Sequence, residues 1–335
     1  MASKLLRAAS SVVLSAALAS CGGGGGGGGS PTPPSGGGGA GGIPVPPLMA
    51  LTAVNAQDVA GGATLAGLGT SSLGALLDAA SAMSATAARP ALPRTHVLTR
   101  FIKQQIDQLA RQLQTAPGFR AAALNPPACG SGSATVVQNG PNSVTETFTA
   151  CSPEANVSLD GTIALSDMNV DPGVSFSGLA AINLVLKQSG SADMTFAGSG
   201  IAVLETINVN VVTFTLSGPS VSITTGTVTQ ALRNFTLTAT FDGATETDEV
   251  TFNYSSTAMT GSVNVSTVTA CVTAQAMNFP NTGVLSLTGS GGSQIRVTIN
   301  GDESLATPQV TIDLDANGDG IFETTLNKNW ADLAV

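Results

Sequence analysis

From about Val136 to the C-terminus, apolar and polar positions alternate with a period of two. Val174, Phe176, Ala180, Ile182, Leu184 and Leu186 alternate with Ser, Asn and Lys positions, and Phe235, Leu237, Ala239 and Phe241 alternate with Asn234, Thr236, Thr238 and Thr240. Val250, Phe252 and Tyr254 continue the pattern, as do Ile295, Val297 and Ile299, then Val310, Ile312 and Leu314. Side chains of a strand point to opposite faces in turn, so this pattern predicts antiparallel strands with one face buried and one wet. Turn signals at Asp171-Pro-Gly, Ser217-Gly-Pro, Asp242-Gly and Asn300-Gly-Asp divide the region into a dozen or more strands. The predicted fold is mainly β: an antiparallel sandwich, barrel or curled sheet with an N-terminal helical segment packed on it.

Residues 48–120 carry a different period. Leu98, Ile102, Ile106, Leu109 and Leu113 fall on one face of a helix predicted over 95–115, with Arg100, Lys103, Asp107 and Arg111 off it. Pro93 precedes this helix and Pro117-Gly118 ends it. The helix is a candidate to cover the open apolar face of the β region. Shorter helical pieces are expected near Ala50–Ala60 and Ser72–Ala88.

Upstream, no core can form. Gly22 to Gly29 are eight consecutive glycines, followed by Ser30-Pro-Thr-Pro-Pro-Ser35 and Ile43-Pro-Val-Pro-Pro47. Almost nothing apolar offsets the ordering entropy here, so residues 21–47 read as a tether, part flexible coil and part stiffer extended spacer. Before it, Lys4 and Arg7 precede an uncharged, mainly apolar run from Ala8 to Leu18. That run is too short for a bilayer span of about 20 residues and suits a secretory signal over residues 1–20.

The run closes on Leu18-Ala19-Ser20-Cys21, which resembles the lipobox of bacterial lipoprotein signals. The resemblance implies cleavage before Cys21, a diacylglyceryl group on its thiol and an N-acyl chain such as palmitate on its amine. It also implies membrane attachment through the lipid alone, which several acyl chains together make stable. Gly22 is not the aspartate that retains such proteins in the inner membrane of enteric bacteria, so the implied location is the cell envelope, at the outer membrane, facing the periplasm or the surface. An outer-membrane barrel would need aromatic girdles, and the chain has one Trp and one Tyr.

Charge separates the two parts again. Residues 121–335 hold four Lys/Arg against eighteen Asp/Glu, which makes nucleic acid an unexpected partner. Of the four cysteines, Cys21 is assigned to lipid. Cys129 and Cys151 lie equally far from Gly140 in the turn signal Asn139-Gly140-Pro141-Asn142, so a hairpin of Ser133–Gln138 and Ser143–Ala150 would set them opposite one another. A disulfide between them is expected in an oxidising compartment. Cys271 is left as a small half-buried side chain.

One motif carries chemistry. Asp313-Leu-Asp315-Ala-Asn317-Gly318-Asp319-Gly320-Ile-Phe-Glu323 resembles the acidic calcium loops of dockerin-like and thrombospondin-repeat-like modules. Calcium takes six to eight oxygens, and carboxylate and amide side chains at alternate positions of a tight loop supply them from one side. Asp315, Asn317 and Asp319 have that spacing, with Asp313 or Glu323 added according to register. The match to an EF-hand is partial, because the position for a bidentate glutamate holds Thr324 counted from Asp313 and Leu326 counted from Asp315. Expected flanking strands, Gln309–Leu314 and Ile321–Leu326, indicate a calcium-binding hairpin instead. The last sixty or so residues, with this loop and Trp330, are similar to Gram-negative lipoproteins to which no activity is attached.

His96 is the only histidine. A Ser-His-Asp triad, a Cys-His pair or a histidine-ligated zinc would each require it. There is no Gly-x-Ser-x-Gly elbow, P-loop or Rossmann fingerprint. The expectation is a non-catalytic structural, adhesive or binding β domain stabilised by calcium. The alternatives are a carrier of lipid or another apolar ligand in a curled sheet, and a carboxylate-based hydrolase.

Overall fold

The structure is a computed structural model that describes residues 45–71, 105, 129–152, 156–171, 174–209, 211–274, 277, 279–301 and 306–333. Cys21, most of the tether, the piece at 72–88, His96 and the helix expected over 95–115 lie outside them, except that Gln105 is helical and buried.

Thirteen strands form one antiparallel sheet in strict sequence order. They are β1 (Ser133–Gly140), β2 (Ser143–Cys151), β3 (Val157–Asp171), β4 (Ser175–Gln188), β5 (Met194–Asn208), β6 (Val211–Thr225) and β7 (Val228–Phe241). There follow β8 (Thr245–Ser256), β9 (Ser262–Ala274), β10 (Thr282–Thr288), β11 (Gln294–Ile299), β12 (Val310–Asp315) and β13 (Thr324–Lys328). Among the described residues β1 pairs only with β2 and β13 only with β12, so the sheet is open. The helix α1 (Ala56–Ser71) contacts β7 and β8 and also β11 and β12, so the sheet curls round it. Of the three β architectures expected, the protein adopts the curled sheet.

α1 is apolar nearly all round, as a helix enclosed on most sides must be. Ala56, Val59, Ala60, Ala63, Thr64, Ala66 and Leu68 are all buried. It starts later than the piece expected at Ala50–Ala60, because Asn55 holds the entry turn: its Oδ1 accepts the Thr52 N–H at 2.8 Å and its amide donates to the Ala50 carbonyl at 3.0 Å. Glycines let the helix lie close against its neighbours. A Cβ on Gly62 would stand 2.5 Å from the Tyr254 hydroxyl, and one on Gly61 would stand 2.9 Å from the Leu333 carbonyl oxygen. Ordinarily Gly→Ala in a helix stabilises by up to about 1 kcal/mol. Here Gly62→Ala should instead destabilise by about 1–3 kcal/mol, since the Tyr254 ring is buried and has little room to yield. Urea unfolding of the two proteins measures the difference, and an unchanged or raised midpoint would show that the contact is not tight.

The alternating apolar positions form the inner face as expected: Phe176, Ala180, Ile182, Leu184, Leu186, Phe235, Leu237, Ala239, Val250, Phe252, Tyr254, Ile295, Val297, Val310, Ile312 and Leu314 are buried. Val174 and Phe241 are the exceptions: Val174 sits in the β3–β4 turn and is half-exposed, and Phe241, the last residue of β7, is only partly buried.

The alternation does not run unbroken through the long strands. Register shifts occur at Ser166/Asn169 between β3 and β4, Ala180/Ile182 between β4 and β5, Arg233/Thr236 between β7 and β8, and Asp248/Thr251 between β8 and β9. These bulges line up into a seam across the middle of the sheet. Three residues on it have left-handed φ: Asp167 (51°), Gly200 (64°) and Asn234 (48°). At the seam the buried parity changes, from Ile163 and Leu165 to Met168 in β3, and from Met194 and Phe196 to Ile201 and Val203 in β5. The extra residue keeps the same face inward while increasing the local twist.

The seam also corrects one expected turn. Ser217-Gly-Pro lies inside β6, where the ladder to β5 lapses between Gly198↔Val221 and Ala202↔Ser217. Pro219 has no N–H to donate, and this gap is where that costs least.

The other turn signals hold. The β1–β2 hairpin closes at Pro141-Asn142, with Gly140 opposite Ser143 and Ser133 opposite Thr149. Cys129 and Cys151 are disulfide-bonded with Cα atoms 5.1 Å apart. In this register they are offset from one another rather than opposite as expected, because the hairpin turns about Pro141-Asn142 rather than about Gly140; β2 also bulges towards β3 between Phe148 and Cys151. Ala150 in that bulge has φ 46° and donates its N–H to Asp160 at 2.8 Å. That bond, and then Lys187 at 3.0 Å, hold the Asp160 carboxyl below its ordinary range.

The C-terminus folds back on the sheet. α2 (Trp330–Leu333) seats Trp330 in the core, stacked on Phe279 with ring centroids 4.7 Å apart. Its indole N–H donates to the Gly301 carbonyl at 3.2 Å, and its backbone N–H donates to Gln309 Oε1 at 3.1 Å.

Candidate functional site

The acidic segment spans the connection from β12 to β13. β13 starts at Thr324, three residues later than expected, because Ile321, Phe322 and Glu323 belong to the loop. The Glu323 N–H donates to the Leu314 carbonyl at 2.9 Å and closes it. Asp315 organises the interior: its Oδ1 accepts the Gly318 N–H at 2.7 Å and its Oδ2 accepts the Gly320 N–H at 2.8 Å. Asn317 Oδ1 accepts the Asp319 N–H, Asp319 Oδ1 accepts the Ile321 N–H, and Glu323 Oε2 accepts the Ala316 N–H. Gly318 (φ 78°) and Gly320 (φ 85°) supply the left-handed conformations this winding needs.

The result gathers Asp315, Asp319 and Glu323, with one carboxylate oxygen from each lying within 4.8 Å of the others. Oxygens round a calcium ion at about 2.3–2.6 Å lie no more than about 5 Å apart, so the three fit one coordination sphere. Asn317 lies beside them, its amide donating to Asp319 Oδ2 at 3.1 Å. Counted from Asp315, the first, third, fifth and ninth loop positions are then Asp315, Asn317, Asp319 and Glu323, and the turn glycine of the sixth is Gly320.

Asp313 is not in the cluster. It lies on β12, mostly buried, where Arg296 Nη2 donates to its Oδ2 at 2.9 Å and the Thr325 hydroxyl donates to its Oδ1 at 2.7 Å. Arg296 also lies 4.3 Å from the centre of the Phe322 ring. The pair therefore secures the base of the loop, and of the two registers left open by the sequence the structure assembles the one with Glu323. At its tip the loop abuts the β10–β11 turn, where a Cβ on Gly318 would meet the Gly291 carbonyl oxygen at 2.8 Å.

A second group of acids went unread in the sequence. Glu146, Glu205, Glu246 and Asp248 are all buried, on inward positions of β2, β5 and β8. The signal was present: Val144-Thr-Glu146-Thr-Phe148 places an acid in phase with two core residues. Glu146 is 1% exposed, its cross-strand neighbours are Val136 and Ile163, and its Oε2 has no hydrogen-bond partner. Burial pushes its carboxyl up to about 8. Cys271, opposite Asp248, is fully buried rather than half-buried as expected. Burial and then that carboxylate push its thiol up to about 12, which keeps it protonated and unreactive.

The outer face is different in kind. Threonines face each other across β6 and β7, with the hydroxyls of Thr213 and Thr240 and those of Thr215 and Thr238 each 3.3 Å apart. An open depression across β3 to β6 is lined by small residues, among them Thr162, Ala181, Asn183, Ala197 and Ser222. Among the described residues no helix is long and apolar enough to cross a membrane. No family model, curated protein or solved structure matches the chain.

Proposed function

We propose that the chain is a lipid-anchored cell-envelope protein of the outer membrane whose β domain is a non-catalytic structural, adhesive or binding module, stiffened by calcium. In this reading Cys21 carries the diacylglyceryl and N-acyl groups, and the tether expected over 22–47 holds the domain off the bilayer up to Pro46 and Pro47, whose carbonyls accept from Ser262 on β9. The observation that carries the reading is the division of labour between the two faces of the sheet. The inner face carries one hydrophobic core, on part of which α1 and Trp330 pack, and the small, hydroxylated outer face is the one offered for display. The acidic loop supports the calcium part, since three carboxylates held within one coordination sphere repel each other until a cation joins them.

Two measurements test the two parts separately. Radioactive palmitate should label the wild type in cells and leave Cys21→Ala unlabelled and released; equal labelling removes the anchor. Millimolar calcium should raise the melting temperature of the wild type by mass action, and Asp319→Asn should lose most of that rise. A melting temperature indifferent to both calcium and chelator removes the ion.

A further inference from the structure

We propose that the acidic loop is the latch of a strap: with a cation held, it keeps residues 46–51 fastened across the end of the sheet, and without one that strap loosens. The inference rests on the calcium reading of the loop and adds what the ion controls. The strap is the stretch of chain before the entry turn of α1, and it is bonded along most of its length. The Pro46 carbonyl accepts the Ser262 hydroxyl at 2.8 Å, and the Pro47 carbonyl accepts the Ser262 N–H at 2.9 Å. Leu48 forms a parallel bridge with Ser262, and the Met49 N–H donates to the Ser262 carbonyl at 3.0 Å. Beyond β9 the strap meets the β10–β11 turn. There the Met49 carbonyl accepts the Ser290 N–H at 2.8 Å, and the Leu51 N–H donates to the Ser293 hydroxyl at 3.1 Å. Two glycines permit the approach: a Cβ on Gly261 would stand 2.7 Å from the Pro47 carbonyl oxygen, and one on Gly289 would overlap that of Met49.

The turn that holds the strap is also the one on which the acidic loop rests. Gly318, between Asn317 and Asp319, lies against Gly291 and Gly292 backbone to backbone, so no side chain is there to absorb a shift. The Gly318 N–H is held by Asp315 at 2.7 Å, which ties the tip to one of the three clustered carboxylates. Loop tip, turn and strap are thus one unbroken series of contacts. Repulsion among Asp315, Asp319 and Glu323 spreads the loop and withdraws the tip from the turn, and a cation among them reverses this. Within the turn, Ser293 passes the effect on, since its hydroxyl donates to the Ser290 carbonyl at 2.9 Å while accepting from Leu51. The strap precedes α1 in the chain, so a pull from the N-terminal side must break these bonds before it reaches the core helix. The cation therefore decides whether such a pull is borne by β9 and the turn or by α1. The coupling is reciprocal: a cation that tightens the strap is itself held more tightly when the strap is in place.

Hydrogen exchange of the full chain in non-ionic detergent, with millimolar calcium and with chelator, reads the strap directly. The amides of Met49, Leu51, Ser262 and Ser290 should exchange about tenfold more slowly with calcium, while those of β2, β3 and β4 change less than about twofold. Ser293→Ala leaves every acid of the loop in place. It should lose most of the calcium effect at Met49 and Leu51 and bind calcium several-fold more weakly in calorimetry. Calorimetry of the wild type separates the two readings. No calcium bound overturns both the ion and the latch. Calcium bound with the strap amides unmoved, or slowed no more than those of β2 to β4, overturns the latch alone. So does a Ser293→Ala protein that binds calcium and exchanges as the wild type does.

Discussion

Replacing Glu146 by glutamine should stabilise the protein at pH 9 by roughly 4 kcal/mol and leave it nearly unchanged at pH 4. Glu146 lies among Val136, Val144, Phe148 and Ile163, and its carboxyl is pushed up to about 8 from an ordinary 4.5. The neutral acid is tolerated there and the carboxylate is not. Below about pH 4.5 the group is protonated whether the chain is folded or not, so it imposes no pH-dependent cost. Between 4.5 and 8 the unfolded chain gives up the proton and the folded one keeps it, so stability falls as pH rises. Above 8 both forms are ionised and the loss levels off. Glutamine has the same shape and cannot ionise, so the difference between the two proteins isolates this group from Glu205, Glu246 and Asp248. Chemical denaturation at pH 4, 6, 8 and 9 reads the curve. A constant difference across that range would mean that Glu146 finds a partner or reaches water.

Trp330→Ala should cost about 3–5 kcal/mol, the range for emptying a large buried aromatic site. The ring is 2% exposed, stacks on Phe279 and donates to the Gly301 carbonyl, so its removal leaves a cavity and an unmet acceptor. The loss should propagate further. Leu333 packs against Gly61 and the Asp332 carbonyl accepts from the Gln57 amide, so α2 is one wall of the seat of α1. Trp330→Phe, which keeps the stacking and loses the N–H, should cost about a third to a half as much. Circular dichroism in denaturant follows both variants, since the only tryptophan is gone from each. A loss under 1 kcal/mol for the alanine variant would show that the C-terminus merely rests on the core.

Much of this architecture was legible in the chain. Val310, Ile312 and Leu314 announce a strand, and Asn139-Gly140-Pro141-Asn142 announces a hairpin, because both depend on residues next to each other. The acidic loop was legible for the same reason, down to the choice between Asp313 and Glu323, which local spacing left open. Arg296 decides that choice, from seventeen residues away, by engaging Asp313. The misreadings share this origin. Ser217-Gly-Pro has turn chemistry and sits in a strand because the partner strands bulge there. The acids of the inner face are not legible in the same way, because an acid in phase with core positions reads by its type as an outward residue. Whether an acid in phase with the core is buried depends on how far the sheet closes over it.

The seam of bulges has a consequence for how the chain finds its register. Long strands built of Thr, Ser, Val and Ala resemble one another. A slip by two residues would keep every side chain on its proper face, so alternation by itself does not forbid it. The seam does. Each extra residue must meet the kink of its neighbour, and a strand displaced by two would carry its kink out of line and set the residues between the two kinks on the wrong face. The row of bulges thus works as a set of keys between otherwise interchangeable parts, and a meander of thirteen strands assembles in one alignment.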